Sequence, residues 1–336
     1  MALIYASDLK ISNQHLVEML RKVGEIMESQ EKVKRKVSKD KVKKQMMYQS
    51  MALPGVIFMI IFTILPIYGV LIAFKDFSIF RTVWESPWVG LYWFEAFINE
   101  PMFWTVMQNT VGINIIRIIV SFPLTIAVAI MINELTNLRF KKTLQTVSYL
   151  PFFISWVVLG GMIGSWLSEI GLVNNLLMDA GLINVRIPFL TNPDYYWAVA
   201  IISDIWRNLG WNTILYLAAM TTIDPTLYEA ARIDGGTKLQ QIRHITIPGI
   251  RNIIALTLIL TVSGLLGSNL DQTLLLQNAV NFQSSEVLSS FVFRQGIMLG
   301  NFSFAAAVGI FVSIVSFILV VGSNILSKKI GDADIF

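Results

Sequence analysis

The chain has 336 residues, of which 54% are hydrophobic and 14% are charged, and its formal net charge is +4. This composition is far more apolar than that of a soluble domain of the same size, so it indicates a lipid-embedded protein. Cysteine is absent, which excludes disulfides, thiolate metal sites and a cysteine nucleophile. The small net charge argues against a nucleic-acid-binding protein and points to sorting of basic residues across a membrane.

Residues 1–48 are the polar exception to this composition. Leu16, Leu20, Val23 and Met27 fall on one helical stripe, and a lysine-rich run follows from residue 32 to residue 44. The pattern predicts a cytoplasmic amphipathic helix whose basic residues contact anionic headgroups. A regulatory contact with a cytoplasmic partner is the alternative. The segment lacks the basic, apolar and small-residue order of a cleaved signal peptide.

The rest of the chain holds six apolar runs. A helix that crosses about 30 Å of hydrocarbon needs roughly 20 apolar residues. Three runs contain no charged residue, two contain Arg117 or Asp271, and the fourth in chain order contains both Asp204 and Arg207. The predicted spans cover about 53–74, 109–133, 146–168, 196–221, 253–272 and 302–326.

The basic residues between these spans are distributed very unevenly. If the N-terminus is cytoplasmic, twenty Lys and Arg lie on the cytoplasmic side and four on the other. The positive-inside rule therefore predicts an all-α membrane protein with six transmembrane helices and both termini cytoplasmic. The predicted organisation is a cytoplasmic extension 1–48, a six-span domain 49–329 and a cytoplasmic tail 330–336.

The cytoplasmic loop 224–248 is the most informative segment. Asp224 suits an N-cap and Pro225 the first helical position, while Gly235 and its glycine neighbour are suited to end the helix. A second short helix is predicted to stop before Pro248. The result is a helix, turn and helix with exposed apolar side chains, which indicates a docking surface for another protein.

This loop resembles the cytoplasmic motif of permease subunits of binding-protein-dependent ABC importers. The motif has Glu-Ala-Ala, two variable residues, Asp-Gly and, about a dozen residues on, Ile-x-Leu-Pro. Gly236 stands where the family usually has alanine, and Ile247 where it usually has leucine. The residues that match, and that the resemblance assigns to contact with the ATPase, are Glu229, Ala230, Ala231, Asp234, Gly235, Ile245 and Pro248.

Further stretches at 53–55, 72–77, 211–212 and 216–219 are similar to the branch of these permeases that imports oligosaccharides and polysaccharide fragments, of which maltose-type permeases are an example. The resemblance implies a type I importer bundle with a cytoplasmic coupling helix, in a bacterial inner membrane. It also implies a second homologous permease, two ATPase subunits and an extracellular solute-binding protein as partners. The chain contains no Gly-Lys dipeptide, so it lacks the phosphate-binding loop, and ATP and Mg²⁺ belong to the ATPase subunits.

Polar and aromatic residues in spans four and five are candidates for the translocation path, since charge at membrane depth is usually functional. Trp206 or Trp211 can stack on sugar rings. The predicted path residues are Asp204, Trp206, Arg207, Asn208, Trp211, Asn212, Asn269, Asp271 and Gln272. No catalytic or metal-binding set is predicted, because the chain has two histidines and no metal-ligand spacing.

Several other functions remain open from the residues alone. The charges at membrane depth are also typical of an ion-coupled secondary transporter. A permease for a solute other than a sugar, and a membrane scaffold or receptor without transport, are further alternatives. The docking loop favours the ABC importer, because an ion-coupled carrier needs no ATPase contact.

Overall fold

The computed structural model describes residues 41–327 together with Arg21 and Glu25. Over this part of the chain the ordered backbone is helical, and its β structure is limited to one isolated bridge between Lys75 and Trp88. The predicted stripe of residues 16–27 and the predicted tail 330–336 lie outside the described residues, apart from Arg21 and Glu25. The all-α class predicted from the sequence is confirmed for the described part.

The helices are numbered here in chain order. They are α1 Lys41–Phe74, α2 Tyr92–Ile98, α3 Phe103–Glu134, α4 Leu138–Tyr149, α5 Trp156–Trp166, α6 Leu172–Asp179, α7 Tyr196–Met220, α8 Pro225–Ile233, α9 Lys238–Gly249, α10 Arg251–Ser263, α11 Leu270–Leu276, α12 Phe282–Ser285, α13 Leu288–Val292 and α14 Phe302–Ser327.

The chain divides into two compact units, Met1–Gly69 and Val70–Phe336. In the first unit, the part of α1 that follows Leu53 is apolar on all faces, as expected of a helix in lipid. A π turn at Ile60–Ile64 lies directly before Pro66. Pro66 has no N–H and cannot donate the usual helical hydrogen bond. The π turn, which is wider than an α-helical turn, lies next to the place where that hydrogen bond is missing.

Three clusters of buried side chains hold the second unit together. One is aromatic and joins α2, α3, α13 and α14, with the Phe97 ring edge-on to Phe103 at 5.0 Å and to Phe304 at 6.0 Å. Edge-to-face pairs of this kind contribute about 0.5–1.5 kcal/mol each beyond their buried area. The second cluster joins α3 to α7, and the third joins α5, α7 and α11. Helices α3 and α7 therefore each take part in two of the three clusters.

Among the described residues, three helices are long and apolar enough to cross a membrane, namely α1, α3 and α14, and they cover predicted spans one, two and six. Two bent pairs also qualify if each is counted as one span, which gives up to five candidate spans by length and composition. Helix α7, a single helix of 25 residues over predicted span four, is not among these five. The six-span count stays a prediction.

Predicted span three is not one straight helix. The chain bends by 98° between Leu138–Phe153 and α5. Ser155 has extended backbone, and its side chain accepts a hydrogen bond from the Val158 N–H at 3.3 Å, so it caps α5 as a separate helix. Pro151 lies in the 3₁₀ turn just before the bend.

Predicted span five is also interrupted. Helix α10 ends at Ser263, and Asn269 starts α11 by accepting a hydrogen bond from the Gln272 N–H at 3.0 Å. Glycine is a poor helix former, and Gly264 and Gly267 lie in the interruption. The apolar run 253–272 therefore forms two helices, since apolarity alone does not require a continuous helix.

Candidate coupling loop and polar cavity

The loop 224–248 begins as the sequence predicts. The Asp224 side chain accepts a hydrogen bond from the Thr226 N–H at 2.9 Å, and Pro225 occupies the first turn of α8. This backbone hydrogen bond lowers the pKa of the exposed Asp224 carboxyl below its usual value, because it stabilises the ionised form. The cap thus sets the start of α8 by local chemistry alone.

The end of α8 is a left-handed glycine turn. Gly235 has φ +78°, and its N–H donates to the Arg232 carbonyl at 3.2 Å. The Gly236 N–H donates to the Ala231 carbonyl at 2.7 Å. These two bonds form a Schellman motif, which requires a residue that tolerates positive φ at position 235.

The second helix of the loop is longer than predicted. It starts with a capping box in which Thr237 and Gln240 bond reciprocally, and it continues through Pro248 to Gly249. The prediction that it stops before Pro248 is wrong. A π turn at Ile242–Thr246, closed by the Ile247 N–H bonded to the Ile242 carbonyl, carries the chain into a last turn in which Pro248 stands near the start, where its missing donor is tolerated.

Side-chain contacts tie the two loop helices together. The Tyr228 hydroxyl lies 3.0 Å from the Thr246 hydroxyl, which is completely buried, and the Gln241 amide donates to the Gly236 carbonyl at 3.2 Å. Lys238 forms an ion pair of 2.6 Å with Glu134 at the end of α3. The loop is therefore a compact element attached to a long helix of the bundle.

Four large apolar side chains of this element are exposed. Ile233 is 86% exposed and Leu239 is 75% exposed, with Leu227 and Ile247 also exposed. We call these four side chains the docking patch. Of the residues predicted to contact the ATPase, Ala231 and Ile245 are half-buried, and those that lie at the surface are Glu229, Ala230, Asp234, Gly235 and Pro248.

A second feature is a cavity of about 670 Å³ among α3, α7 and α10. It is partly open and has mixed polar and apolar walls. Its lining residues are Arg117, Ile118, Ser121, Phe122, Thr125, Asp204, Asn208, Trp211, Asn212, Ile214, Leu215, Tyr216, Ala218, Thr257, Leu260 and Thr261. Four of the predicted path residues line this cavity: Asp204, Asn208, Trp211 and Asn212.

A chain of polar contacts runs from the cavity into the bundle. The Arg117 Nη1 lies 3.8 Å from the Asp204 Oδ2, and the Asn208 amide donates to the Asp204 Oδ1 at 2.9 Å. The Arg207 guanidinium donates to the Asn208 Oδ1 at 3.1 Å. Asp204 and Arg207 form no direct ion pair: Asn208 connects them, and the direct ion pair of Asp204 is with Arg117.

Arg207 itself points away from the cavity. Its guanidinium lies 5.2 Å from the centre of each ring of Phe152 and Trp156, and it donates to the Ile154 carbonyl at 3.3 Å. These contacts surround the bend between α4 and α5. Close by, a side chain at Gly210 would collide with the Ser148 backbone, so the two helices approach closely there. Arg207 thus holds the bend rather than lining the cavity.

The remaining predicted path residues lie elsewhere. Trp206 packs edge-on to Trp166 at 6.2 Å. Asn269 caps α11, Asp271 is exposed, and Gln272 is buried and donates to the Ala200 carbonyl at 2.7 Å. None of these four lines the cavity described above.

Sequence reasoning missed the parts of the cavity wall that α3 and α10 form. Arg117 was noted only as an interruption of an apolar run, although Ser121 and Thr125 follow it at helical spacing. Thr257 and Thr261 repeat the same spacing on α10. Residues four apart share a helix face, so a search for polar residues at this spacing within apolar runs would have found both stripes.

A family model described as "Binding-protein-dependent transport system inner membrane component" matches residues 121–332. The chain belongs to this family. The match contains α7, the coupling loop and α10, and it begins just after Arg117 and Ile118 of the cavity wall. Members are components of inner-membrane transport systems and are not enzymes themselves, and dependence on a binding protein decides against the ion-coupled secondary transporter.

Individual proteins extend the similarity beyond the family model. The permease is 38% identical over 316 residues to the polygalacturonan/rhamnogalacturonan transport system permease protein YteP of Bacillus subtilis (strain 168), covering 91% of this chain and 95% of that protein. A crystal structure of a bacterial ABC transporter that imports the acidic polysaccharide alginate has a chain with a TM-score of 0.79 and 33% identity, covering 87% of this chain and 98% of that one.

The alginate transporter has also been crystallised in complex with a periplasmic protein bound to an alginate pentasaccharide. A chain of that complex matches with a TM-score of 0.80 and 32% identity, covering 88% of this chain and 99% of that one. The bundle of the permease is therefore that of an ABC importer permease.

Proposed function

We propose that the permease carries an oligosaccharide across a bacterial inner membrane, that an external solute-binding protein delivers this solute, and that separate ATPase subunits drive the transport. The observation that carries the proposal is the docking patch on a loop that holds the family's coupling motif. Exposed apolar side chains on a capped element are costly in water, and a partner surface removes that cost. The relatives that transport polygalacturonan, rhamnogalacturonan and alginate support a carbohydrate as the solute.

The partner set follows from the same proposal. Two ATPase subunits bind ATP and Mg²⁺. One of them contacts the docking patch and the residues that match the coupling motif. A second, homologous permease completes the pathway. The solute passes along the cavity among α3, α7 and α10, where Asp204, Asn208, Trp211 and Asn212 contact it.

The proposed assembly is tested by purification. The tagged permease, expressed with its genomic neighbours and extracted in mild detergent, is expected to retain an ATPase subunit and, after reconstitution with the binding protein, to import an oligosaccharide at the expense of ATP. Ile233→Asp with Leu239→Asp removes the apolar character of the docking patch without touching the caps of the loop. We expect this double variant to lose most of the retained ATPase. Retention of the ATPase at the wild-type level would contradict the docking role.

The proposed topology has six spans with both ends in the cytoplasm, and cysteine labelling tests it because the chain has no cysteine of its own. Ile79 and Thr191 are exposed in segments proposed to face outward, and Thr136 is exposed in the connection between α3 and α4, proposed to face inward. A cysteine at Ile79 or Thr191 is expected to react with an impermeant maleimide in intact cells. A cysteine at Thr136 is expected to react only after lysis, and its labelling in intact cells would refute the model.

A further inference from the structure

Arg117 faces the cavity with most of its hydrogen-bonding capacity unused. Its side chain is 26% exposed, and its one ionic contact, with Asp204, has an N to O distance of 3.8 Å, which is longer than a hydrogen bond. Within the described residues its guanidinium donates no hydrogen bond. A guanidinium carries five N–H donors arranged for planar, bidentate acceptors, so the cavity offers a donor group without an acceptor.

The nearest acceptor of Arg117 is already used by another donor. Asp204 accepts a hydrogen bond from the Asn208 amide, and Asn208 in turn accepts one from Arg207. Among the lining residues only Arg117 and Asp204 are charged, and the Arg207 charge lies between Phe152 and Trp156, outside the lining. Arg117 therefore has free N–H donors at the cavity surface, and a charged acceptor that enters the cavity would form stronger hydrogen bonds with them than a neutral one.

Another part of the wall suits a sugar ring. Trp211 lines the cavity, and its ring stacks on Phe152 with centroids 4.3 Å apart and planes 3° from parallel, so it is a flat, fixed surface. Asn212 and Thr261 also line the cavity. The Asn212 amide can donate to and accept from sugar hydroxyls, and the Thr261 hydroxyl, which donates to the Thr257 carbonyl at 2.7 Å, can accept from them. The volume of about 670 Å³ is within the range of small-ligand pockets.

We infer that this cavity is a subsite for a carboxylate-bearing sugar, in which Arg117 binds the carboxylate and Trp211 stacks on the pyranose ring. The inference rests on the proposed function, because it assigns a substrate class to the path of a carbohydrate permease. A monoanion fits better than a phosphate dianion, since Asp204 lies beside Arg117 and repels each added negative charge. Arg117 is thus a specificity-determining residue that rejects neutral sugars by leaving its donors unpaired.

The test compares a charged ligand with its neutral methyl ester. The complete importer complex, without nucleotide and without binding protein, is titrated calorimetrically with trigalacturonate and with its methyl ester. The wild-type complex is expected to bind the free acid at least about tenfold more tightly, as for one bidentate charge-assisted contact. Raising the salt concentration should reduce this preference. If the wild-type complex binds both ligands with equal affinity, or does not bind the free acid at millimolar concentration, the inference is wrong and no variant is needed to show it.

Variants then assign the preference to Arg117. Arg117→Gln is expected to bind both ligands equally. Arg117→Lys is expected to keep a reduced preference, because an ammonium group retains the charge but not the planar pair of N–H donors. Arg186→Gln, on an exposed segment remote from the cavity, is the matched control and should behave as wild type. If a folded Arg117→Gln complex still binds the free acid more tightly than the ester, another residue causes the preference and the proposed subsite is wrong. ATP-driven import of a neutral oligosaccharide separates the two proposals, because it would support the transport function even if the subsite fails.

Discussion

Replacing Gly235 by Val is expected to remove the ATPase from the purified permease. The native turn holds this position at φ +78°, where a β-branched residue is a genuine outlier. Such backbone strain costs on the order of 1–3 kcal/mol, so the native turn would be populated about five- to 150-fold less. No atom lies within 4 Å of the place where a side chain would begin. The effect therefore comes from the backbone and not from a collision.

Two variants control for this result. Gly235→Asn keeps the native turn accessible, because asparagine tolerates positive φ, and it should retain most of the ATPase. Gly181→Val introduces the same strain at φ +67°, again with open space around the new side chain, in the segment that follows α6. We expect Gly181→Val to keep the ATPase. The measurement is the ratio of ATPase to permease after one affinity step, at matched expression. A normal ratio for Gly235→Val would show that the turn does not shape the docking surface.

Replacing Arg207 by Leu is expected to reduce uptake at least about tenfold while the ATPase stays bound. The substitution removes two cation–π contacts and a charged hydrogen bond to the Ile154 carbonyl. Each ring contact contributes about 0.5–2 kcal/mol and a hydrogen bond to a charged group about 1.5–3 kcal/mol. A tenfold change in the population of the bent arrangement corresponds to about 1.4 kcal/mol. Loss of only part of these contacts is therefore enough to destabilise the 98° bend before α5.

The conservative variant separates this role from general stability. Arg207→Lys keeps the charge between Phe152 and Trp156 but cannot reach both the Ile154 carbonyl and Asn208, so we expect intermediate uptake. Arg186→Leu removes an exposed bond of 2.7 Å to the Glu169 carbonyl and should leave uptake unchanged. Uptake into proteoliposomes, measured beside thermal unfolding of the purified complex, distinguishes these outcomes. Wild-type uptake in Arg207→Leu would exclude the bend as a functional element.

The sequence alone determined the features that depend on local chemistry or on composition. The apolar runs that became α1, α3 and α14 were visible because a membrane-spanning helix needs about 20 apolar residues in succession. Asp224 and Gly235 were assigned correctly because helix caps involve residues only a few positions apart. The motif of the coupling loop was recognisable for the same reason.

The tertiary structure decided the contacts between residues far apart in the sequence. Arg117 and Asp204 lie on different helices, and their pairing depends on how α3 packs against α7. The bend at Ile154 and the break after Ser263 occur within apolar runs. Hydrophobicity measures how well a segment dissolves in lipid, whereas the path of the backbone depends on caps and on packing against neighbouring helices.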